Sequence, residues 1–228
     1  QFCTNPGLVL GIDGPDLDRF VQSAAEALER KSAQTMLTAG IHGAYRSGVE
    51  TMAATPGVQR VAEGQTASTL HNAAQAALFI TDARTLMEQP ALSSEVFGPA
   101  SLVVRAKDAD ELIAVAEQLE GQLTATLHLE DADHPLARRL LPVLERRAGR
   151  LLVNGFPTGV EVCHAMVHGG PYPSTSNAMF TSVGASAIDR FLRPVCYQDL
   201  PDALLPEALQ QANPLGLWRL VDGAPVRA

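Results

Sequence analysis

The chain lacks the features that would direct it to a nucleic acid or into a membrane. It has no run of Lys and Arg, and its formal net charge is -8, from 17 basic and 25 acidic side chains. A nucleic acid or an anionic membrane surface is therefore not an expected partner. The longest apolar runs fall far short of the ~20 residues that cross a bilayer, so no membrane span is expected. With 228 residues, 46% of them hydrophobic, the chain can form one substantial core, or one domain with an arm.

The sequence contains few cysteines, and they lie far apart from one another. The three cysteines are Cys3, Cys163 and Cys196. Their odd number, their wide spacing and the absence of a CxxC pair argue against a disulfide framework and favour a reducing compartment, the cytoplasm. His164 and His168 could share a helix face, but the Gly169-Gly170-Pro171 run that follows argues against a helix there. With no zinc spacing between the histidines and the cysteines, no metal site is expected.

The first hundred residues show one clear strand and one clear helix. Leu8–Ile12 has the apolar character of a short buried strand and is followed by the breaker Asp13-Gly14-Pro15. Apolar residues from Leu17 to Leu28 then recur at helical spacing. Residues 40–75 are rich in Gly, Thr, Ser and His, and predict only a short helix near Val49–Ala54 among loops and short strands.

From Ser101 onwards strands and helices alternate. Leu102–Val104 predicts a strand, and Asp108 with Glu111 predicts a capping box that opens a helix over 109–120. A second strand over 123–129, a helix after Pro135 and a third strand over 151–153 follow. This order predicts an α/β fold with one open, mostly parallel twisted sheet and helices on both faces. Ligands bind such sheets beyond the carboxyl ends of the strands, where residues 154–159 would emerge.

Four motifs resemble those of one enzyme family. Gln1-Phe2-Cys3-Thr4-Asn5-Pro6-Gly7 resembles the nucleophile loop of the aldehyde dehydrogenase superfamily, and Glu95-Val96-Phe97-Gly98-Pro99 resembles its second signature. Residues 149–159 resemble the substrate-tunnel segment, and His168-Gly169-Gly170-Pro171 stands where most members have a Pro-Phe-Gly-Gly turn. The resemblance covers residues 1–199. It implies the C-terminal catalytic portion of such an enzyme, closest to the bacterial 2-oxoglutarate semialdehyde (2,5-dioxopentanoate) dehydrogenases.

The resemblance implies a role for each motif. Cys3 would add to the aldehyde carbon, because an aldehyde can lose hydride towards an acid only after a nucleophile has added. Its backbone N–H would help to hold the oxyanion. Glu95 would bind the nicotinamide-ribose hydroxyls of NAD or NADP, and Phe97 would pack beside the nicotinamide. The remaining candidates are substrate-tunnel residues: Phe2, Phe156, Thr158 and His168. His168 replaces a residue that is commonly aromatic, which suggests a polar substrate.

The resemblance also implies which parts of the active site are expected outside these residues. The general base, the second oxyanion donor and most of the dinucleotide site belong upstream of the cysteine, and no GxGxxG replaces them here. Because the sequence opens directly on the nucleophile loop, with no Met or targeting segment, we expect residue 1 to be an internal cut. The predicted domains are a catalytic α/β domain over 1–190 and an oligomerisation strand with a C-terminal arm over 191–228. Phe191–Gln198 is an expected edge strand that builds a homodimer or a dimer of dimers.

Simpler interpretations remain open. Most lone cysteines are small buried hydrophobes, and this is the expected state of Cys163 and Cys196, which have no motif around them. Glu95 could be a solvated surface residue, and Phe2, Phe156 and His168 could serve packing alone. The whole chain could be a non-catalytic oligomerisation module, or part of an acylating dehydrogenase that passes the thioester to coenzyme A.

We predict that the 228-residue chain alone has no appreciable dehydrogenase activity, because the resemblance places the base and most of the dinucleotide site outside it. The measurement is NAD(P)H formation by the isolated chain with a semialdehyde. Turnover near that of a complete enzyme would contradict the prediction.

Overall fold

The computed structural model describes residues 2–67 and 69–227. Gln1, the first residue of the predicted nucleophile loop, lies outside the described residues, as do Ser68 and Ala228. The chain divides into two compact units, residues 1–187 and 188–228. Within the described ranges, no helix combines the length and apolar character needed to cross a membrane.

The first unit alternates strands and helices. Its strands are β1 (Leu8–Ile12), β2 (Gln34–Thr35), β3 (Gln59–Glu63), β4 (Ala73–Ala74), β5 (Ala77–Asp82), β6 (Ala100–Ala106), β7 (Gln122–Leu127) and β8 (Ala148–Val153). Its helices are α1 (Pro15–Glu29), α2 (Ala39–Ala54), α3 (Ala83–Glu88), α4 (Ala109–Gln118) and α5 (His134–Arg147). Short 3-10 turns cover Pro90–Ser93 and Asp131–Asp133, and another spans Ala185–Phe191.

The main sheet has the strand order β1-β6-β5-β3. β6 lies between β1 and β5 and is parallel to both, whereas β3 pairs antiparallel with β5 through an irregular register. This mixed, mostly parallel sheet confirms the predicted α/β class. The prediction of one continuous sheet is wrong, because β7 and β8 pair parallel with each other in a separate two-stranded sheet. β6 pairs with β1 on one side and with β5 on the other. The distance between β6 and β7 along the chain did not reveal these partners.

Helices cover both faces of the main sheet, as predicted. Successive side chains of a strand point to opposite faces, so Val103 and Leu78 pack with α1, whereas Leu102 and Phe79 belong to the cluster on the other face. The α1 cluster includes Leu17 and Val21. The opposite cluster is the larger one, and its helical members include Tyr45, Met52, Leu86, Leu112, Val115, Leu140 and Val143.

The helix α2 is much longer than predicted. It begins after Thr38, whose hydroxyl accepts a hydrogen bond from the Ile41 amide at 3.1 Å. Its inward stripe of Ile41, Tyr45, Val49 and Met52 packs in the core. Glycines within the helix, which weaken helix propensity, hid this stripe from the sequence analysis.

The helix α4 begins as predicted, with Asp108 accepting from the Glu111 amide at 2.8 Å. The second half of the predicted capping box differs, because the Glu111 carboxylate accepts from the amide of Lys107 and not from that of Asp108. The helix ends at Gln118, two residues before the predicted end.

The second unit contains the segment predicted to be an edge strand. Residues 192–200 form neither helix nor strand, so the predicted strand is absent from this single chain. The apolar side chains there are exposed, with Phe191 80% exposed and Leu192 63%. Extended backbone becomes a strand only through a hydrogen-bonded neighbour, and the described residues provide none for this segment.

The rest of the second unit, predicted only as a C-terminal arm, ends in a hairpin. β9 (Arg219–Val221) pairs antiparallel with β10 (Ala224–Val226). Asp222 and Gly223 at the turn both have positive φ angles, 49° and 81°. Asp-Gly is a strong hairpin signal, and this pair could have predicted the turn. Two 3-10 turns, Asp202–Leu204 and Glu207–Leu209, precede the hairpin.

We predict opposite stability effects for two glycine-to-alanine changes. Gly98 is buried with a φ of 154°, and a Cβ there would clash with the ring of Tyr45, so Gly98→Ala is expected to lower the free energy of unfolding by about 1–3 kcal/mol. Gly43, on the exposed side of α2, has open space around it, so Gly43→Ala is expected to raise that free energy by about 0.5–1 kcal/mol. Urea unfolding of the two variants measures both effects, and equal shifts of the same sign would contradict the packing described for Gly98.

Candidate active site

Cys3 lies in a tight turn just before β1. The Asn5 amide donates to the Phe2 carbonyl at 3.1 Å and closes this turn. The cysteine is exposed, whereas Thr4 beside it is buried. Among the described residues, the N–H of Cys3 makes no backbone hydrogen bond. Both the thiol and this N–H are therefore available to a ligand.

The turn contacts three loops through three successive side chains. Asn5 donates from Nδ2 to the Gly98 carbonyl at 3.0 Å. Thr4 donates from Oγ1 to the Pro157 carbonyl at 3.2 Å. The Cys3 Sγ lies 3.5 Å from Nε2 of His168. The other three motifs that the sequence singled out thus meet around the Cys3 turn.

The Glu95-to-Pro99 loop leads directly into β6. Val96 packs against the main core, and its side chain fills the space that a Cβ at Gly48 would need. Glu95 beside it is exposed and Phe97 is half-buried. The loop is thus fixed by Val96 and by the Asn5–Gly98 hydrogen bond, with the Glu95 carboxylate open to solvent.

The loop after β8 is held by an arginine that the sequence analysis did not single out. Arg150, in β8, donates to the carbonyls of Pro157 at 2.7 Å and Gly159 at 2.9 Å. Pro157 is buried, and its carbonyl also accepts from Thr4. The sequence did contain a signal for this role, because Arg150 is a charged residue within the apolar run of a strand.

Two further tunnel candidates flank Pro157. Phe156 is 71% exposed, and its ring lies tilted against His128 with centroids 5.5 Å apart. Thr158 is exposed as well. Phe2, in the Cys3 turn, is 63% exposed. These side chains lie on loops that meet at Cys3, but the structure shows no contact that assigns them to a substrate.

Hydrogen bonds hold the backbone of His168 at both its amide and its carbonyl. Its amide donates to Oγ1 of Thr181 at 2.8 Å, and its carbonyl accepts from the amide of Ser182 at 3.0 Å. The next residue, Gly169, packs against Gly149 of β8 so closely that a Cβ on Gly149 would collide with its carbonyl. Burial and, to a smaller extent, the charge of Arg150 lower the pKa of His168 below its usual value.

The other cysteines differ from expectation. Cys163 and Cys196 were expected to be buried, but both are exposed, like Cys3, and all three are free thiols. Both lie in stretches that form no helix or strand, so burial cannot be inferred from residue type alone. Among the described residues, no group of three or more His, Cys, Asp and Glu side chains could hold a metal ion.

Two curated relatives match almost the whole chain. One is an alpha-ketoglutaric semialdehyde dehydrogenase 2 from Azospirillum brasilense, 64% identical over 98% of this chain. The other is an alpha-ketoglutaric semialdehyde dehydrogenase from Acinetobacter baylyi, 47% identical over 98% of this chain. The chain spans 42% of the length of each relative. No protein-family model matches the chain.

Solved structures share the fold at lower identity. A succinic semialdehyde dehydrogenase from Streptococcus pyogenes, solved with NADP+, matches 75% of this chain and 37% of its own, with a TM-score of 0.61 and 18% identity. A betaine aldehyde dehydrogenase from Staphylococcus aureus, solved with NAD+ and a chemically modified cysteine, matches 81% of this chain and 37% of its own, with a TM-score of 0.62 and 15% identity. From its fold and its close relatives, the chain is identified as a member of the aldehyde dehydrogenase superfamily, similar over nearly its whole length to the C-terminal portion of alpha-ketoglutaric semialdehyde dehydrogenases.

Proposed function

We propose that the protein oxidises an aldehyde, 2,5-dioxopentanoate (2-oxoglutarate semialdehyde), to the carboxylic acid with NAD or NADP, and that Cys3 is its nucleophile. The observation that carries the proposal is the meeting of three motif-bearing loops at an exposed thiol. The names of the curated relatives support the substrate.

The sulfur of Cys3 would perform the covalent step. It adds to the aldehyde carbon, and the carbonyl oxygen becomes an oxyanion. The backbone N–H of Cys3, which makes no backbone hydrogen bond among the described residues, would donate to this oxygen. A preorganised donor is effective because it needs no reorganisation during the reaction. Loss of hydride leaves a thioester, which water hydrolyses to the acid.

Residues of the second motif would face the cofactor. NAD or NADP, when bound, supplies the hydride acceptor. The exposed Glu95 carboxylate can accept hydrogen bonds from ribose hydroxyls, and half-buried Phe97 offers an apolar surface beside the nicotinamide. Both therefore fit a dinucleotide, and the cofactors of the two fold neighbours support this assignment.

The substrate side would be formed by Phe2, Phe156, Thr158 and His168. The first two offer exposed aromatic rings, and the last two offer polar groups near the Cys3 turn. A carboxylated semialdehyde needs such a combination, with apolar contact for its carbon chain and hydrogen bonds for its oxygens.

The wider organisation belongs to the same proposal. Residues 1–190 form the catalytic domain, and residues 191–228 join a second copy in a homodimer or a dimer of dimers. The exposed apolar side chains from Phe191 to Tyr197 support such an interface. Most of the dinucleotide site lies outside this chain. The free thiols suit the reducing cytoplasm.

Replacing the nucleophile tests the proposal. In the complete protein, Cys3→Ala is expected to lower kcat for NAD(P)H formation by about 10⁴-fold or more, as in other enzymes that lose a covalent nucleophile. Cys163→Ala is the matched control and is expected to keep full activity, since this exposed thiol lies neither at the site nor in the proposed dimer segment. Product analysis with added coenzyme A accompanies the assay. An acyl-coenzyme A product would favour the acylating reaction, and an active Cys3→Ala protein would overturn the proposal.

A further inference from the structure

A histidine side chain faces the sulfur of Cys3. The Nε2 atom of His168 lies 3.5 Å from Sγ, within reach of a hydrogen bond that involves sulfur. The two residues are 165 positions apart in the chain, so no local turn brings them together. Their contact depends on the fold.

The imidazole has little freedom to turn away. Hydrogen bonds to Thr181 and Ser182 fix its backbone. Its Nδ1 atom is buried and has no hydrogen-bond partner among the described residues. The ring therefore presents Nε2, and not Nδ1, to the exposed site.

The surroundings favour the neutral form of this ring. Two titratable groups face His168 in the part of the chain that the structure describes, the Cys3 thiol and the Arg150 guanidinium. Burial and the Arg150 charge both lower the pKa of His168, so the ring stays unprotonated to a lower pH than an ordinary histidine. A neutral imidazole has one N–H and one lone pair. With its hydrogen on Nδ1, it can accept a proton at Nε2.

We infer that His168 is a catalytic residue whose Nε2 accepts the proton of the Cys3 thiol as the sulfur attacks the aldehyde carbon. The S–H bond breaks, the S–C bond forms, the carbonyl π electrons move to the oxygen and the proton passes to Nε2. The inference rests on the proposed function for its substrate. It assigns the proton of the thiol only, and not that of the water that later hydrolyses the thioester.

This role predicts a pH signature that does not require turnover. A thiol alone reacts through its thiolate, so its alkylation rate falls about tenfold for each pH unit below its pKa. A thiol that shares its proton with a neighbouring imidazole reacts through the coupled pair, and its rate changes less steeply between the two macroscopic pKa values. Cys163, an exposed thiol outside the proposed dimer segment, serves as the reference thiol within the same molecule.

Alkylation by iodoacetamide, followed peptide by peptide with mass spectrometry from pH 5.5 to 8.5, tests the inference in the complete protein. Three variants are compared with the parent: His168→Gln, which keeps a polar group without a basic nitrogen, His168→Phe, and the control His164→Gln. His164 is an exposed histidine in the same segment, four residues earlier. An unchanged far-ultraviolet circular dichroism spectrum and an unchanged thermal unfolding midpoint show that a variant remains folded.

The expected result is a shallow pH dependence for Cys3 in the parent and in His164→Gln. In both His168 variants, the Cys3 rate near pH 6.5 is expected to fall by about tenfold and to follow the steep thiolate dependence. If Cys3 in the His168 variants matches the parent at every pH, the inference is wrong. An equal loss in His164→Gln would also overturn it, because the effect would not belong to the imidazole that contacts the sulfur.

Aldehyde oxidation then separates this inference from the proposed function. In His168→Gln, kcat is expected to fall by about 10²-fold, the lower end of general acid–base effects. Normal turnover in this variant, with Cys3 still required, would overturn the inference alone. A protein whose Cys3 alkylation depends on His168 but which oxidises no aldehyde would overturn the proposed function and leave the thiol–imidazole contact supported.

Discussion

The turn from Phe2 to Asn5 is the constraint on which the rest of the site depends. Three successive side chains in it contact three different loops: Cys3 contacts His168, Thr4 binds Pro157 and Asn5 binds Gly98. Each hydrogen bond contributes only about 0.5–1.5 kcal/mol net to stability. Together they fix the position of the turn, because a small shift of the turn would break all three contacts at once.

The division into two sheets explains how these loops can meet. The Cys3 turn and the Glu95-to-Pro99 loop lead into the amino ends of β1 and β6, whereas the loop held by Arg150 follows the carboxyl end of β8. In one continuous parallel sheet, loops that precede strands and loops that follow strands would emerge at opposite ends of the strands. Because β7 and β8 form a separate pair, the carboxyl end of that pair can lie beside the amino ends of the main sheet.

The sequence predicted the local features of the fold better than its long-range contacts. Apolar Leu8–Ile12 and the Asp108 cap were visible because strand and helix signals are local. The glycines in α2 hid the extent of that helix. The separate pairing of β7 with β8 could not be predicted, because the spacing of strands along the chain does not determine which strands pair. At the site, motifs identified Cys3, Glu95 and His168 as candidates. The Cys3–His168 contact and the hydrogen bonds of Arg150 to the loop after β8 could be found only in the structure, because both depend on how distant loops pack.

The most direct test of the account is to find the covalent intermediate. The complete protein is mixed with 2,5-dioxopentanoate and NAD or NADP, quenched with acid during the first turnovers, and digested for peptide mass spectrometry. The account predicts an acyl group on the peptide that contains Cys3, formed at a rate that can support steady-state turnover. Acid formation at full rate with no acyl group on Cys3, or with the acyl group on Cys163 or Cys196, would contradict it.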